Sequence, residues 1–225
     1  MKKLIWITAA LCLMITAVSV QLMPERVAVH FGLSGEADRY GSRYESFILP
    51  LIIIILAAVF ELVSRAFEKR AEQSDDGREK SHSRSNARVA DIIALSVTAM
   101  MTLMQIVFLF RWVKGVEYAD LDELRVMSAL MGILFIVLGN VMPKTKPNGS
   151  IGLRVKWSMY NDVTWQKSNT FAGVMLMAAG VLSFVTALVA SAAVSVVMLL
   201  VYLAAAVTVS CIYAKKVYDS EKDRP

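Results

Sequence analysis

Histidine and cysteine are scarce in this chain of 225 residues, two of each, and proline occurs only five times. Cys12 lies inside the first apolar block and Cys211 near the end of the last, so their expected depths differ and no disulfide framework is expected. Both read as small packing residues. The same scarcity removes the common catalytic signatures: there is no metalloprotease helix motif, no Cys–His pair and no Gly-framed serine nucleophile. The sequence reads as a protein that is not an enzyme, with no cofactor and no metal. Charge is thin as well, at 19%.

What is present in abundance is apolar surface. Apolar residues make up 56% of the chain, against roughly 45–50% in soluble domains, and the mean hydropathy is +0.54. These values point to an integral membrane protein. Six blocks approach the ~20 apolar residues that cross a hydrocarbon core of ~30 Å: Leu4–Leu22, Phe47–Ala66, Ala90–Phe110, Leu124–Met142, Phe171–Val189 and Ser195–Tyr213. The expected fold is all-α and polytopic. Its parts are the first two spans with an external loop (1–67, loop 23–46), a cytoplasmic linker (68–89) and a four-span region (90–225).

Orientation follows from the cations. Threading the chain with both termini in the cytoplasm puts 18 of the 24 Lys and Arg residues inside and 6 outside, as the positive-inside bias requires. The net charge of +5 is thereby explained by topology, and no nucleic-acid-binding module is legible. Lys2-Lys3 followed by Ala17-Val18-Ser19 also permits a cleaved export signal, but the run from Leu4 to Val20 exceeds the usual 7–15 residues of such a signal and favours an uncleaved anchor.

Two segments between the spans carry more detail than slack would need. Outside, Arg26 to Phe31 alternates like a short strand, and Gly32, Gly35 and Gly41 supply turns, giving a small ordered loop. His30, Glu36 and Asp38 lack a recognisable metal-ligand spacing, so His30 is expected to orient the loop or meet a partner. Inside, residues 139–173 fix Pro143, Pro147, turn-permitting glycines near Asn148, and the pair Trp157 and Trp165. Asn161 reads as the cap of a helix starting at Asp162. On that helix Trp165, Asn169 and Gly173 share a face suited to packing against Gly139-Asn140. Both tryptophans also suit the headgroup region. Interfacial anchoring and a docking surface that uses Arg154 and Lys156 both remain open.

Between these segments, Glu68 to Arg88 mixes charges without an apolar stripe and reads as a flexible linker or a frayed helix extension. Polar groups inside the spans are few. Glu61 has Arg65 at i+4 as a partner near the inner boundary. No broken helix pair suggests a transport pathway, so transporter or permease is the second-ranked function, beside a structural membrane protein.

The external segment resembles a short domain of unknown function in bacterial membrane proteins with the pattern L-P-x-x-I-P-x-H-F-x-x-x-G-x-x-D-x-x-G-S-K. Pro24, His30, Phe31, Gly35, Asp38, Gly41 and Ser42 match it, whereas Ala28 and Arg43 depart from it. The internal segment is similar to the SdpI family pattern G-N-x-x-P-K-x-K-P-N-x-x-x-G-I-R-T-P-W followed by W and T-H. Gly139, Asn140, Pro143, Lys144, Lys146, Pro147, Asn148, Gly152, Arg154, Trp157, Trp165 and Gly173 match, with Lys156 in place of Pro and Asn169 in place of His.

The resemblance implies a bacterial plasma-membrane protein conferring immunity to a secreted membrane-active peptide toxin. It also implies signalling through recruitment of an ArsR-like repressor. Under that implication Pro24, His30, Phe31, Gly35, Asp38 and Gly41 would meet the toxin. Asn140, Pro143, Asn148, Gly152, Arg154, Trp157 and Trp165 would form the docking face inside, and membrane lipids would be the remaining partner.

Overall fold

The computed structural model describes residues 1–31, 37–115 and 121–223. Six helices carry the chain across the membrane: α1 (Lys2–Ser19), α2 (Ile48–Gln73), α3 (Gly77–Lys114), α4 (Leu121–Val141), α5 (Asp162–Val189) and α6 (Ala192–Lys222). Between α1 and α2 stand two antiparallel strands, β1 (Arg26–Phe31) and β2 (Ala37–Ser42). This is an all-α polytopic membrane protein with a small non-helical loop on its extracytoplasmic side. Within the best apolar window of each span only 17% to 33% of residues are buried in the protein, so the remaining apolar side chains, Ile55, Leu62, Val181 and Leu188 among the exposed ones, face lipid.

The helices pack as two linked sets. In the first, α2 buries Pro50, Ile53, Ala57, Ser64, Phe67 and Ala71, a spacing of threes, fours and sevens that keeps one face toward α3. On α3 the buried face is small, with Ala87, Ala90, Ala94, Thr98 and Thr102, so the backbones approach closely. α1 completes this set through Ile5, Ala9 and Cys12, packed on Ala57, Ala94 and Ile53. In the second set α4, α5 and α6 pack in sequence. A Cβ on Gly139 would lie 2.5 Å from the Gly173 carbonyl oxygen, and one on Gly132 2.7 Å from that of Gly180. Glycine is required at these crossings, as the sequence suggested for the Gly139–Gly173 pair.

Two buried hydroxyls of α3 return to their own helix: Thr98 and Thr102 each donate to the carbonyl four residues back, at 2.8 Å, so they cost little in hydrocarbon. Arg125 on α4 donates to the Ala187 and Leu188 carbonyls at 2.9 and 2.7 Å, satisfying the C-terminal end of α5 with a cation where the helix dipole favours one. Glu61 is paired with Arg65 at 2.6 Å, as expected, and also accepts from the Trp6 indole at 2.6 Å.

In the segment from Glu68 to Arg88 the helix extension, not the flexible linker, is the reading that holds, and the extension is ordered: α2 continues to Gln73, three residues turn, and α3 begins at Gly77. Asp76 caps α3 by accepting from the Arg78 amide at 2.9 Å, and Glu79 favours the positive end. Phe67 and Ala71 on one helix and Ser83 and Ala87 on the other are buried, so tertiary packing holds a charged sequence helical beyond the membrane.

Candidate functional site

The outer site grows from the chain reversal at Met23-Pro24. Met23 is extended, with ψ of 151°, as a residue before proline prefers, and this starts β1. The ladder pairs Arg26 with Ser42, Val27 with Gly41, Ala28 with Tyr40 and His30 with Arg39, with irregularities on either side of His30. Val27 is buried with Met23 and Leu109, and Ile15, Val29 and Trp112 pack around them, so the alternation of β1 seats the hairpin on the end of α3. The Trp112 indole donates to the Ala28 carbonyl at 2.8 Å.

The opposite face of the hairpin is polar. His30 Nδ1 meets Asp38 Oδ1 at 2.6 Å, with both side chains more than half exposed. Arg39 pairs with Glu45 at 2.8 Å, and Glu45 also accepts from the Ser42 amide to close a capping box on the 3-10 turn Arg43–Phe47. Gly41 is buried within β2, where a side chain would collide with the Glu45 carboxylate. Its expected role as a turn is therefore corrected: it is a strand residue against which the Glu45 carboxylate rests. Tyr40 and Tyr44 are exposed, amphipathic rings of the kind enriched at membrane interfaces. Pro24, His30 and Asp38 are exposed on this cap. Phe31 ends β1, but its side chain lies outside the described residues, as does Gly35.

Beneath the hairpin, Gln105 of α3 is 1% exposed. It donates to Thr16 Oγ1 at 3.0 Å and to the Ser46 carbonyl at 2.9 Å, joining α1, α3 and the turn that follows β2.

The inner site is residues 144–161, which form neither helix nor strand beyond the short 3-10 turn Met142–Lys144. Without a ladder, its backbone groups must find other partners, and side chains supply them. Asn148 accepts from the Ser150 and Ile151 amides at 2.6 and 2.7 Å and donates to the Lys146 and Ile151 carbonyls. Ser158 donates to the Leu153 carbonyl at 2.6 Å and accepts from the Val155 amide at 3.1 Å. From α5, the fully buried Asn169 accepts from the Leu153 amide at 2.7 Å, and Trp165 donates to the Thr145 carbonyl at 3.1 Å. Gly152, at φ 112°, leaves the space that Asn169 and Trp165 occupy: its Cβ would stand 2.6 Å from Asn169 Oδ1. Asn161 caps α5 through Thr164 with a reciprocal bond, as its sequence position indicated.

The inner residues thus divide into two groups. Asn148, Gly152 and Trp165 build the loop, and at 1% exposure Trp165 does not face the headgroups, which corrects that expectation. Pro143 is the middle residue of the 3-10 turn Met142–Lys144, and its carbonyl accepts from Gln166 at 3.0 Å. Asn140, Arg154 and Lys156 are exposed, and Trp157 is half-buried with the Lys215 ammonium 6.0 Å from its ring. Lys167 pairs with Glu221 of α6 at 3.0 Å.

Sequence reading missed the α3 contribution. Ser85 donates to the Lys144 carbonyl at 2.8 Å, and Asn86, 2% exposed, exchanges bonds with both backbone groups of Lys146. Arg78 pairs with Asp162 at the start of α5. The available signal was the run Ser83, Ala87, Ala90, Ala94, small residues at helical spacing that continue the span backwards across its hydropathy boundary. Among the described residues no group of three or more His, Cys, Asp or Glu side chains gathers to hold a metal.

Known proteins resemble the chain in these same two regions. Residues 144–214 match the SdpI/YfhL protein family, and residues 7–54 match a domain of unknown function, DUF1648. The first match contains the inner loop, α5 and most of α6, and the second contains most of α1 and the hairpin. The immunity protein SdpI of Bacillus subtilis (strain 168) is 25% identical over 192 residues, covering 83% of this chain and 84% of that protein. An uncharacterized protein of Archaeoglobus fulgidus is 44% identical over 43 residues, 19% of this chain and 24% of its own length. No solved structure matches. The chain is thus similar to the SdpI/YfhL family over residues 144–214, and it is a multi-pass membrane protein of the kind found in the bacterial plasma membrane.

Proposed function

We propose that this protein protects a bacterial membrane against a secreted, membrane-active peptide toxin and reports the encounter to a repressor of the ArsR type in the cytoplasm. The observation that carries the reading is the extent of the similarity to an immunity protein, 83% of the chain, beside separate family matches over the hairpin, residues 7–54, and the inner loop, residues 144–214. A peptide entering the bilayer from outside first meets the outer interface. There the hairpin offers the His30–Asp38 pair beside Tyr40 and Tyr44, a polar and aromatic surface on a seated scaffold. On the other face, the exposed Arg154 and Lys156 stand on a loop whose backbone is fixed from within, a pre-ordered cationic surface for a soluble partner.

The test is toxin challenge of sensitive cells with and without the gene, at confirmed membrane abundance. Survival should rise with expression. Unchanged survival across a panel of membrane-active peptides would sink the proposal in favour of transport or a structural role.

A further inference from the structure

We infer that α3 is a rigid coupling rod that makes the conformations of the external hairpin and the cytoplasmic loop depend on one another. The two regions lie on opposite sides of the membrane, yet one helix bonds to both. At the outer end Trp112 holds the Ala28 carbonyl of β1, Leu109 packs on Met23 and Val27, and Gln105 holds the Ser46 carbonyl behind β2. At the inner end Ser85 and Asn86 hold the backbone of Lys144 and Lys146, and Arg78 pairs with Asp162. Trp112 and Asn86 are separated by about 39 Å of helix at 1.5 Å per residue.

The helix between them has no place to absorb a displacement. From Arg78 to Lys114 there is no proline and no glycine, and the helix is continuous, so the usual causes of a kink are absent. Its contact face toward α1 and α2 is mostly Ala and Thr, with Leu95 and Met101 beside them and Gln105 bonded to Thr16 near the outer end, and the Thr98 and Thr102 hydroxyls bond within α3 itself. With few large side chains interlocked across it, a shift of ~1–2 Å, the scale of helix movements in switching proteins, meets little obstruction. Loop 144–151, by contrast, is attached to α3 through specific bonds at Lys144 and Lys146, which a small shift would strain or release. A ligand that repositions the hairpin would therefore loosen or tighten the inner loop, and a partner on the loop would act back on the hairpin by the same factor.

This inference deepens the signalling reading, and its test needs neither toxin nor repressor. Hydrogen exchange is measured on the full-length protein in lipid nanodiscs. Trp112→Phe keeps an aromatic side chain but removes the N–H donor to Ala28 and part of the packing on Met23 and Val27; amide exchange in residues 144–151 should rise by about fivefold, within the usual range of coupling between sites. Asn86→Ala should raise exchange in residues 26–30 by a similar factor. Adding Leu103→Gly and Ile106→Gly, both at exposed positions between Asn86 and Trp112, puts a hinge into the rod and should abolish transmission in both directions. Transmission in one direction only, transmission that survives the hinge, or an equal rise in α6, which would report general loosening, would each overturn the rod. A protein that couples its ends but gives no protection would sink the functional reading and leave the rod standing.

Discussion

The external hairpin and the internal loop solve the same backbone problem by opposite means. The hairpin pairs its amides and carbonyls with one another, so its outward side chains, His30, Asp38, Arg39 and Tyr40, remain on the surface. The loop has no ladder and spends its side chains on its own backbone: Asn148, Ser158, Asn169 and Trp165 are interior struts. Surface and scaffold are therefore separable outside the cell and largely inseparable inside it. Substitutions on the hairpin should change function without folding, whereas most substitutions in the inner signature should change both.

That contrast can be broken by experiment. The largest effect is expected at the glycine crossing beneath the loop. Gly173→Leu would drive a side chain into the Gly139 carbonyl and Pro143, and backbone obstruction of this kind costs about 1–3 kcal/mol or more. The protein should lose its monodisperse peak in detergent, and a folded, active variant would show that α4 and α5 do not meet there.

Asn169→Ala is next. It leaves the Leu153 amide without its buried acceptor, at a cost of about 1–3 kcal/mol, so thermal unfolding should move to lower temperature and proteolysis within 148–158 should quicken. An unshifted transition would mean that the loop is held by other bonds.

Outside, His30→Ala or Asp38→Ala removes an exposed pair worth about 0–1 kcal/mol. Membrane abundance and unfolding should stay nearly intact while toxin protection falls. Protection that persisted in both variants would reduce the hairpin to a cap, and loss of abundance would erase the proposed difference between the two regions.

The smallest structural effect belongs to Arg154, which is exposed. Arg154→Ala should leave stability within about 0.5 kcal/mol and weaken recruitment of a soluble partner more than it weakens survival under toxin. Arg154→Lys keeps the charge without the planar fork and should restore recruitment only if the contact is purely electrostatic. Equal loss of recruitment and protection would show that the two activities share this surface.

The sequence determined what depends on composition and on near neighbours. Six apolar blocks of membrane length settled the number of spans, the placement of Lys and Arg set the orientation, alternation from Arg26 to Phe31 marked β1, and Asn161 announced the start of α5. Each of these rests on properties summed within a window or on bonds spanning a few residues. Only the tertiary structure decided that Gly41 sits in a second strand, that Trp165 turns inward to the Thr145 carbonyl, and that a charged run from Gly77 to Arg88 continues α3 into the cytoplasm. These outcomes depend on partners far away in sequence: Val27 for Gly41, the loop carbonyls for Trp165, and Lys146, sixty residues from Asn86, for the inner end of α3. The partner that secures each lies outside the window over which local patterns act, so no local pattern contains it.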